Sequence, residues 1–194
     1  VPIISACLQD AGIAADPVEE LILSNALGGG GNPARLAALA AGLPEHVAGL
    51  SIDRQCAGGL DAILLARALV ESGAAEVVLA GGAESYSRRP LRFRTDPAGG
   101  PAIPYDAPPF SPWPARDPAM HQTAADLATR LGISRVAQDA FAVASHQKAR
   151  LAALAEIVPL QGHNCDGFTR ALTPVIAARA RSVAGTITAA NAAI

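Results

Sequence analysis

Apolar positions alternate between short runs and helical repeats in the first part of the chain. Short apolar runs predict three strands, over 18–26, 47–55 and 75–82. Apolar residues at helical spacing predict three helices, over 3–13, 33–43 and 57–72. Pro33 and Gly42 stand where a helix commonly begins and ends, whereas the first five residues, VPIIS, also fit a short strand. This order predicts an α/β fold with a mostly parallel βαβ sheet.

The pattern changes after residue 85. Residues 86–119 are rich in proline, glycine, arginine and aromatic residues and have no clear period, which predicts an irregular segment that is functional or inserted. Helical spacing returns over 120–132, 134–156 and, more briefly, 173–183. Ser134 is a good helix N-cap. We therefore predict two regions, 1–85 and 86–194.

Composition and charge limit the partners. The 194 residues are 51% hydrophobic but only 4% aromatic, so Ala, Leu, Val and Ile must build the core. The net charge of −2 gives no reason to expect nucleic acid as the main partner. No apolar run approaches the ~20 residues that cross a bilayer, and the first residues lack the basic start of a signal peptide. We expect a cytoplasmic protein without a membrane partner.

Three cysteines are widely spread and form no metal-binding motif: Cys7, Cys56 and Cys165. Free thiols fit a cytosolic protein, and no metal site is predicted. Cys7 lies on the apolar side of the first predicted helix and is expected in the core. Two small basic clusters, Arg88-Arg89 and Arg92 with Arg94, fit either a phosphorylated small molecule or, more commonly, a solvated loop.

Cys56 stands where a predicted strand ends and a predicted helix begins, just before Ala57-Gly58-Gly59. Unpaired N–H groups and the helix dipole favour an anion there, which makes a Cys56 thiolate a candidate nucleophile. The glycines allow close approach, and backbone N–H groups can receive a developing oxyanion. The alternative is a small buried hydrophobe, because free cysteines often have that role.

Several segments resemble one known family. Residues 53–90, DRQCAGGLDAILLARALVESGAAEVVLAGGAESYSRRP, resemble the active-cysteine segment of the thiolases, with the pattern Cys-x-Ser-Gly-Leu-x-Ala and then Ala-Gly-Gly-x-Glu-Ser-x-Ser-x-x-Pro. Four more segments match in the same order: GGGGNPARLAALAAGLP (28–44), MHQTAADLATRLGISRVAQDAFAVASHQKA (120–149), EIVPL (156–160) and GTITAAN (185–191). The resemblance implies a thiolase-like N-terminal core over 1–85, which bears the nucleophile. Over 86–194 it implies a helical loop-domain insertion that covers the coenzyme A channel. The C-terminal half of the family is expected to be absent.

The resemblance also implies a reaction. Acetyl-CoA acetyltransferases and 3-ketoacyl-CoA thiolases of this family transfer acyl groups between CoA thioesters, so an acyl-Cys56 intermediate is implied, in 3-ketoacyl-CoA thiolysis or Claisen condensation. Met120 matches the methionine beside the reacting acyl group. Coenzyme A and acyl-CoA would be substrates, with no permanently bound cofactor, in fatty acid metabolism. A homo-oligomer is implied, or a hetero-oligomer with a chain that supplies the C-terminal half.

The sequence departs from the family pattern at several positions. Gly58 replaces the serine of Cys-x-Ser-Gly, and His121 and Ala125 replace the glycine and glutamate of Met-Gly-x-Thr-Ala-Glu. Ala193 replaces the serine that would face the pantetheine. The family's catalytic histidine and second cysteine belong to the C-terminal half. His121 is the best placed local base, ahead of His46, His146 and His163, and Cys165 does not match the second-cysteine motif.

Three functions stay open. The first is a thiolase-type acyltransferase whose other half lies elsewhere. The second is a non-catalytic thiolase relative that binds acyl-CoA or serves as a structural subunit, which the substitutions at Gly58, Ala125 and Ala193 favour. The third is a cysteine thioesterase, or another cysteine acyl-transfer enzyme, that uses a local base such as His121.

Overall fold

The computed structural model of the chain describes residues 1–106, 108–160, 162–164 and 167–192, without the side chains of 152–156. The chain divides into two compact units, Val1–Asp106 and Ala107–Ile194. The division of roles between 1–85 and 86–194 stays a prediction.

The first unit alternates helices and strands as the apolar pattern predicts. Its elements are α1 (Pro2–Ala11), β1 (Glu20–Ser24), α2 (Pro33–Ala40), β2 (Ala48–Ile52), α3 (Gly58–Glu71) and β3 (Val78–Gly82). The first residues are helical rather than a strand, and Gly12 ends α1 in the left-handed conformation, with φ of 66°.

β1 is the middle strand of a three-stranded sheet in the order β2-β1-β3. Both neighbours run parallel to it, with Glu20 opposite Ala48 in β2 and Val78 in β3. The predicted parallel sheet is therefore confirmed.

Alternate residues of β1 pack against different helices, because successive strand side chains point to opposite faces. Leu21 packs in a core cluster to which α1 and α2 contribute, whereas Ile22 packs with Ala62 and Ala66 of α3. Helices thus cover both faces of the sheet, as parallel sheets require.

The region 86–119 is more ordered than its composition predicts. Its first part contains an antiparallel pair, β4 (Arg92–Arg94) and β5 (Ile103–Tyr105). Arg89 pairs with Asp106 and stacks over the Tyr86 ring at 3.8 Å. These contacts account for Arg89, whereas for the other arginines both alternatives, a solvated loop and a phosphate-binding role, stay open.

The second unit is mostly helical. Its elements are α4 (Met120–Arg130), α5 (Arg135–Glu156), α6 (Pro174–Arg179), β6 (Ser182–Ala184) and β7 (Ile187–Thr188). Ser134 caps α5, because its Oγ accepts a hydrogen bond from the Ala137 N–H at 3.1 Å. The helix predicted over 173–183 is too long, since the chain turns at Ala180 into the β6–β7 pair. Among the described residues, no helix combines the length and the apolar character that crossing a membrane requires.

Candidate active site

The sheet topology points to the carboxyl ends of its strands as the place for a site. The sheet order places β2 and β3 on opposite sides of β1, and α2 and α3 cover opposite faces. In doubly wound sheets, ligands bind at such a switch point, outside the carboxyl ends of the strands. Ser24 and Gly82, the last residues of β1 and β3, are paired there.

Cys56 lies in a sharp turn between β2 and α3. A short 3₁₀ helix, Gln55–Ala57, leads directly into α3 at Gly58. Gln55 has φ of 50°, and it is the one non-glycine residue with positive φ in the described part of the chain. Its N–H donates to Asp53 Oδ1 at 2.8 Å. Backbone strain of this kind clusters at functional turns.

The Cys56 thiol is exposed and makes no disulfide. The alternative of a buried filler is therefore wrong for this cysteine. Cys7 is exposed as well, so its predicted core position is also wrong. The apolar repeat of α1 does not bury Cys7, which borders an open groove that residues of α3 and β3 also line. Exposure alone does not distinguish the two thiols, but Cys56 is the one that directly precedes a helix.

Charge is balanced at the start of α3. Arg54 Nη1 lies 3.3 Å from Asp61 Oδ2, across the first turn. The Arg54 side chain is 72% exposed, so this pair contributes at most about 1 kcal/mol. Its effect is to orient two side chains beside the Cys56 turn.

Glu84 joins the loops that follow β1 and β3. Its carboxylate accepts hydrogen bonds from the Leu27 N–H at 3.0 Å, from Asn25 Nδ2 at 3.3 Å and from the Ala26 N–H. Asn25 Nδ2 also donates to the Ala83 carbonyl at 2.7 Å. The motif Ala-Gly-Gly-x-Glu-Ser marks Glu84 in the sequence, but it does not predict that this side chain connects the two loops.

Asn32 fixes the start of α2 against β2. Its Oδ1 accepts from the Arg35 N–H at 3.0 Å and from Ser51 Oγ at 2.8 Å, and its Nδ2 donates to the Gly49 carbonyl at 2.7 Å. A Cβ at Gly49 would lie 2.5 Å from the Arg35 nitrogen, so the close packing requires glycine. The Asn-Pro-Ala-Arg segment therefore has a structural role in this unit.

Met120 and His121 are the first two residues of α4, in the second unit. Met120 is 67% exposed, and His121 is exposed with no side-chain hydrogen bond or ion pair among the described residues. Ala125 is buried, and a Cβ added at Gly185 would lie 3.2 Å from the Ala125 Cβ. A glutamate would be crowded at position 125. Ala193 and Cys165 lie outside the described residues.

The second unit has an open cleft of about 470 Å³. Phe141 and His146 of α5 line one side, and Ala189 and Asn191 are also among the lining residues. His146 Nδ1 accepts from the Arg170 N–H at 3.3 Å, and Arg170 Nη2 donates to the Ala189 carbonyl at 3.0 Å. The segments 120–149 and 185–191 both match the family pattern, but the sequence did not show that they would form one cleft.

A polar network holds the segment after β7 against α5. Asn191 Nδ2 donates to Asp139 Oδ1 at 2.8 Å, and Arg135 Nε donates to Asp139 Oδ2 at 2.7 Å. The Thr188 N–H donates to Asn191 Oδ1 at 2.8 Å. Asp139 is 8% exposed, so these partners satisfy a buried carboxylate. Within the described ranges, no three His, Cys, Asp or Glu side chains converge as a metal site.

A family model described as "Thiolase, N-terminal domain" matches residues 2–194. The chain belongs to the thiolase family. Among curated thiolase relatives, "Putative acetyl-CoA C-acetyltransferase YhfS" of Bacillus subtilis (strain 168) is 41% identical over 187 residues, which are 91% of this chain and 48% of that protein. "Putative acetyl-CoA C-acetyltransferase VraB" of Staphylococcus aureus (strain MRSA252) is 41% identical over 133 residues, which are 67% of this chain and 35% of that protein.

A solved thiolase structure agrees with the sequence comparisons. The crystal structure of the Bacillus anthracis acetyl-CoA acetyltransferase matches with a TM-score of 0.82 at 30% identity, over 99% of this chain and 55% of that one. The chain thus spans about half the length of this structure and of the Bacillus subtilis relative. The thiolase resemblance and the thiolase-like α/β fold are confirmed, whereas the site roles of Cys56, Gly58, Met120, His121 and Ala193 stay predictions.

Proposed function

We propose that this chain carries the nucleophile of a thiolase-type acyltransferase, with Cys56 as the acyl acceptor. One observation carries the proposal: in a member of this family, an exposed thiol lies on a strained turn directly before α3. Helix N-termini favour the thiolate, which is the reactive form of cysteine.

The proposed half-reaction moves an acyl group from one sulfur to another. The Cys56 thiolate attacks the carbonyl carbon of a CoA thioester, and a backbone N–H of the turn stabilises the oxyanion of the tetrahedral intermediate. The bond from the carbonyl carbon to the coenzyme A sulfur then breaks, coenzyme A leaves as a thiolate that takes up a proton, and the acyl group stays on Sγ. In a Claisen condensation, the α-carbon of a second acyl-CoA loses a proton and attacks the acyl-Cys56 carbonyl, which forms the carbon–carbon bond and frees the Cys56 thiolate. In thiolysis, the Cys56 thiolate instead attacks the keto carbonyl of a 3-ketoacyl-CoA, the bond from that carbon to the α-carbon breaks, and the departing acyl-CoA carbanion takes up a proton. The acyl group on Sγ then passes to a coenzyme A thiol.

Acyl-CoA is the proposed substrate, and the second unit supplies contacts for it. The cleft beside His146 and Arg170 combines apolar walls with a few polar groups, which suits the pantetheine chain. In this proposal Met120 contacts the acyl group, and Ala193 borders the pantetheine. No cofactor remains bound between turnovers.

The general base is proposed to come from the other half of the family fold, on this polypeptide or on a partner. Claisen chemistry requires a proton to be removed beside a carbonyl, and His121 is the local alternative. An oligomer is part of the proposal, because Leu60, Ile63 and Leu64 of α3 are at least half exposed and could be covered by another surface. A cytoplasmic role in fatty acid metabolism is proposed with it.

The structure explains two of the family departures by packing. Gly58 is buried, and Ala125 lies against the β6–β7 pair. Substitutions that fit the local packing give no reason to prefer the non-catalytic alternative.

Intact-protein mass spectrometry after incubation with acetyl-CoA tests the proposal. We expect a mass increase of one acetyl group in the unmodified chain and in Cys7→Ala, and none in Cys56→Ala. Cys7→Ala is the matched control, because both thiols are exposed. An adduct that persists in Cys56→Ala, or no adduct in any chain, would refute the role of Cys56.

A further inference from the structure

The Ser24 side chain, at the carboxyl end of β1, is buried beside the turn that carries Cys56. It is 7% exposed, and within the described part of the chain its hydroxyl makes no hydrogen bond, although the oxygen keeps slight solvent access. The other buried polar side chains of the described residues, Asp139 and Thr188, both have hydrogen-bond partners. A buried hydroxyl without a hydrogen bond is unusual, since buried polar groups nearly always have a hydrogen-bond partner.

Two glycines make the space that Ser24 fills, which we name the Ser24 niche. A Cβ at Gly58 would lie 1.8 Å from Ser24 Oγ and 2.7 Å from Ser24 Cβ. A Cβ at Gly82 would lie 3.3 Å from Ser24 Cβ and 3.2 Å from the Ser24 carbonyl oxygen. The niche therefore has no room for a second side chain at position 58.

We propose that Ser24 is a positioning residue for Cys56. Ser24 fills the niche and supports the first turn of α3, so that the turn and Cys56 keep one position. Packed interiors respond to one extra side chain by displacing their neighbours, and the residue that faces Ser24 here is Gly58, the first residue of α3. This role rests on the proposed function of Cys56 as acyl acceptor.

The proposal also explains the departure at Gly58. The matching family pattern has a serine at that position, and here a hydroxymethyl group occupies the same place from β1 instead. Positions 24 and 58 are thus expected to be coupled: one of them can bear a side chain when the other does not. The sequence does not show this coupling, because the two residues belong to different elements.

A double-mutant cycle tests the coupling in the full chain. Gly58→Ser puts two side chains in the niche, and we expect acylation of Cys56 by acetyl-CoA to slow by about tenfold to a hundredfold, as for a misplaced reacting group. Ser24→Gly empties the niche, and we expect a smaller loss. The double variant moves the hydroxymethyl group to position 58, and its rate should return to within about threefold of the unmodified chain.

Two further readouts separate positioning from folding. The first is the rate at which iodoacetamide alkylates Cys56, divided by the rate for Cys7 in the same molecule. A purely structural role of Ser24 would lower the thermal midpoint and leave this ratio unchanged, whereas positioning changes the ratio in the folded state. Ser24→Ala keeps the Cβ and removes the oxygen, so it shows how much of the effect belongs to the hydroxyl.

Gly59→Ser is the matched control for stability. It makes the same chemical change one residue later, where an added Cβ meets no atom within 4 Å. We expect Gly58→Ser to lower the thermal midpoint and Gly59→Ser to leave it unchanged. Equal midpoints in these two variants, or effects of Gly58→Ser and Ser24→Gly that add in the double variant, would overturn the proposal.

The same double-mutant cycle can be measured by alkylation of Cys56 and by thermal stability, and neither measurement needs acyl-CoA. If the unmodified chain forms no acetyl adduct, the proposed function fails, and these two measurements still decide whether Ser24 positions Cys56. Coupling in alkylation and stability would then support the positioning role alone, and additivity in both would overturn it.

Discussion

At the scale of single residues, the local backbone distinguishes the two exposed cysteines. Cys56 follows a strained residue and directly precedes α3, whereas Cys7 lies inside α1. Free N–H groups and the positive end of the dipole act at the start of a helix and fall off within a turn. The comparison therefore isolates the effect of the helix start on a thiol.

We expect iodoacetamide to alkylate Cys56 about two- to fivefold faster than Cys7 or Cys165. The factor corresponds to the ~0.3–1 kcal/mol by which a helix N-terminus favours a negative charge. Mass spectrometry of peptides after timed quenching measures all three rates in one sample. The difference should disappear when the chain is unfolded in guanidinium, and equal rates in the folded chain would remove the case for an activated thiolate.

The residues of the site were predictable to different degrees. Cys56 was predictable because its chemistry depends on its neighbours in the sequence: a strand before it, and glycines and a helix after it. Ser24 and Glu84 were not, because they act on segments that only the folded sheet brings close. Cys7 was predicted wrongly, because an apolar repeat indicates a helix face without showing that another element covers it.

At the scale of elements, length decided what the sequence predicted. The six elements of the first unit from α1 to β3 were predictable, because each has a continuous apolar run or several repeats of a period. β4, β5, β6 and β7 have three residues or fewer, which is too short for an alternating pattern. The same limit explains why the last predicted helix was drawn through residues that form β6.

The contact between α5 and the segment after β7 can be tested by a single substitution. Asp139→Ala removes the carboxylate that binds both Arg135 and Asn191. Breaking a buried ionic contact leaves its partner uncompensated, and we expect the free energy of unfolding to fall by about 3 kcal/mol. Denaturant unfolding, followed by circular dichroism, measures this loss.

Asp126→Ala is the matched control for that experiment. It deletes an aspartate from another helix of the same unit, where the carboxylate is exposed and accepts a bond from Gln122 Nε2. Its effect should stay within about 0.5 kcal/mol. Similar losses from the two substitutions would show that the buried network does not hold the segment in place.

At the scale of the whole molecule, the chain has a proposed nucleophile, Cys56, but no proposed base in the same compact unit. The described residues place Cys56 in one compact unit and His121 in the other, and the matched relatives are about twice as long as this chain. An acyl-enzyme can form without removal of a carbon-bound proton, whereas condensation cannot. The two halves of the proposed reaction can therefore be separated by experiment.

We expect the 194-residue chain by itself to take up one acetyl group and to make acetoacetyl-CoA only at a trace rate. Adding the C-terminal half of a curated relative should raise condensation at least about a hundredfold, because a positioned general base contributes that much. Chromatography of the CoA thioesters measures the product, and Cys56→Ala with the same added half should form none. Sustained condensation by the chain alone, lost in His121→Ala, would assign the base to His121 and contradict the proposed division of the reaction.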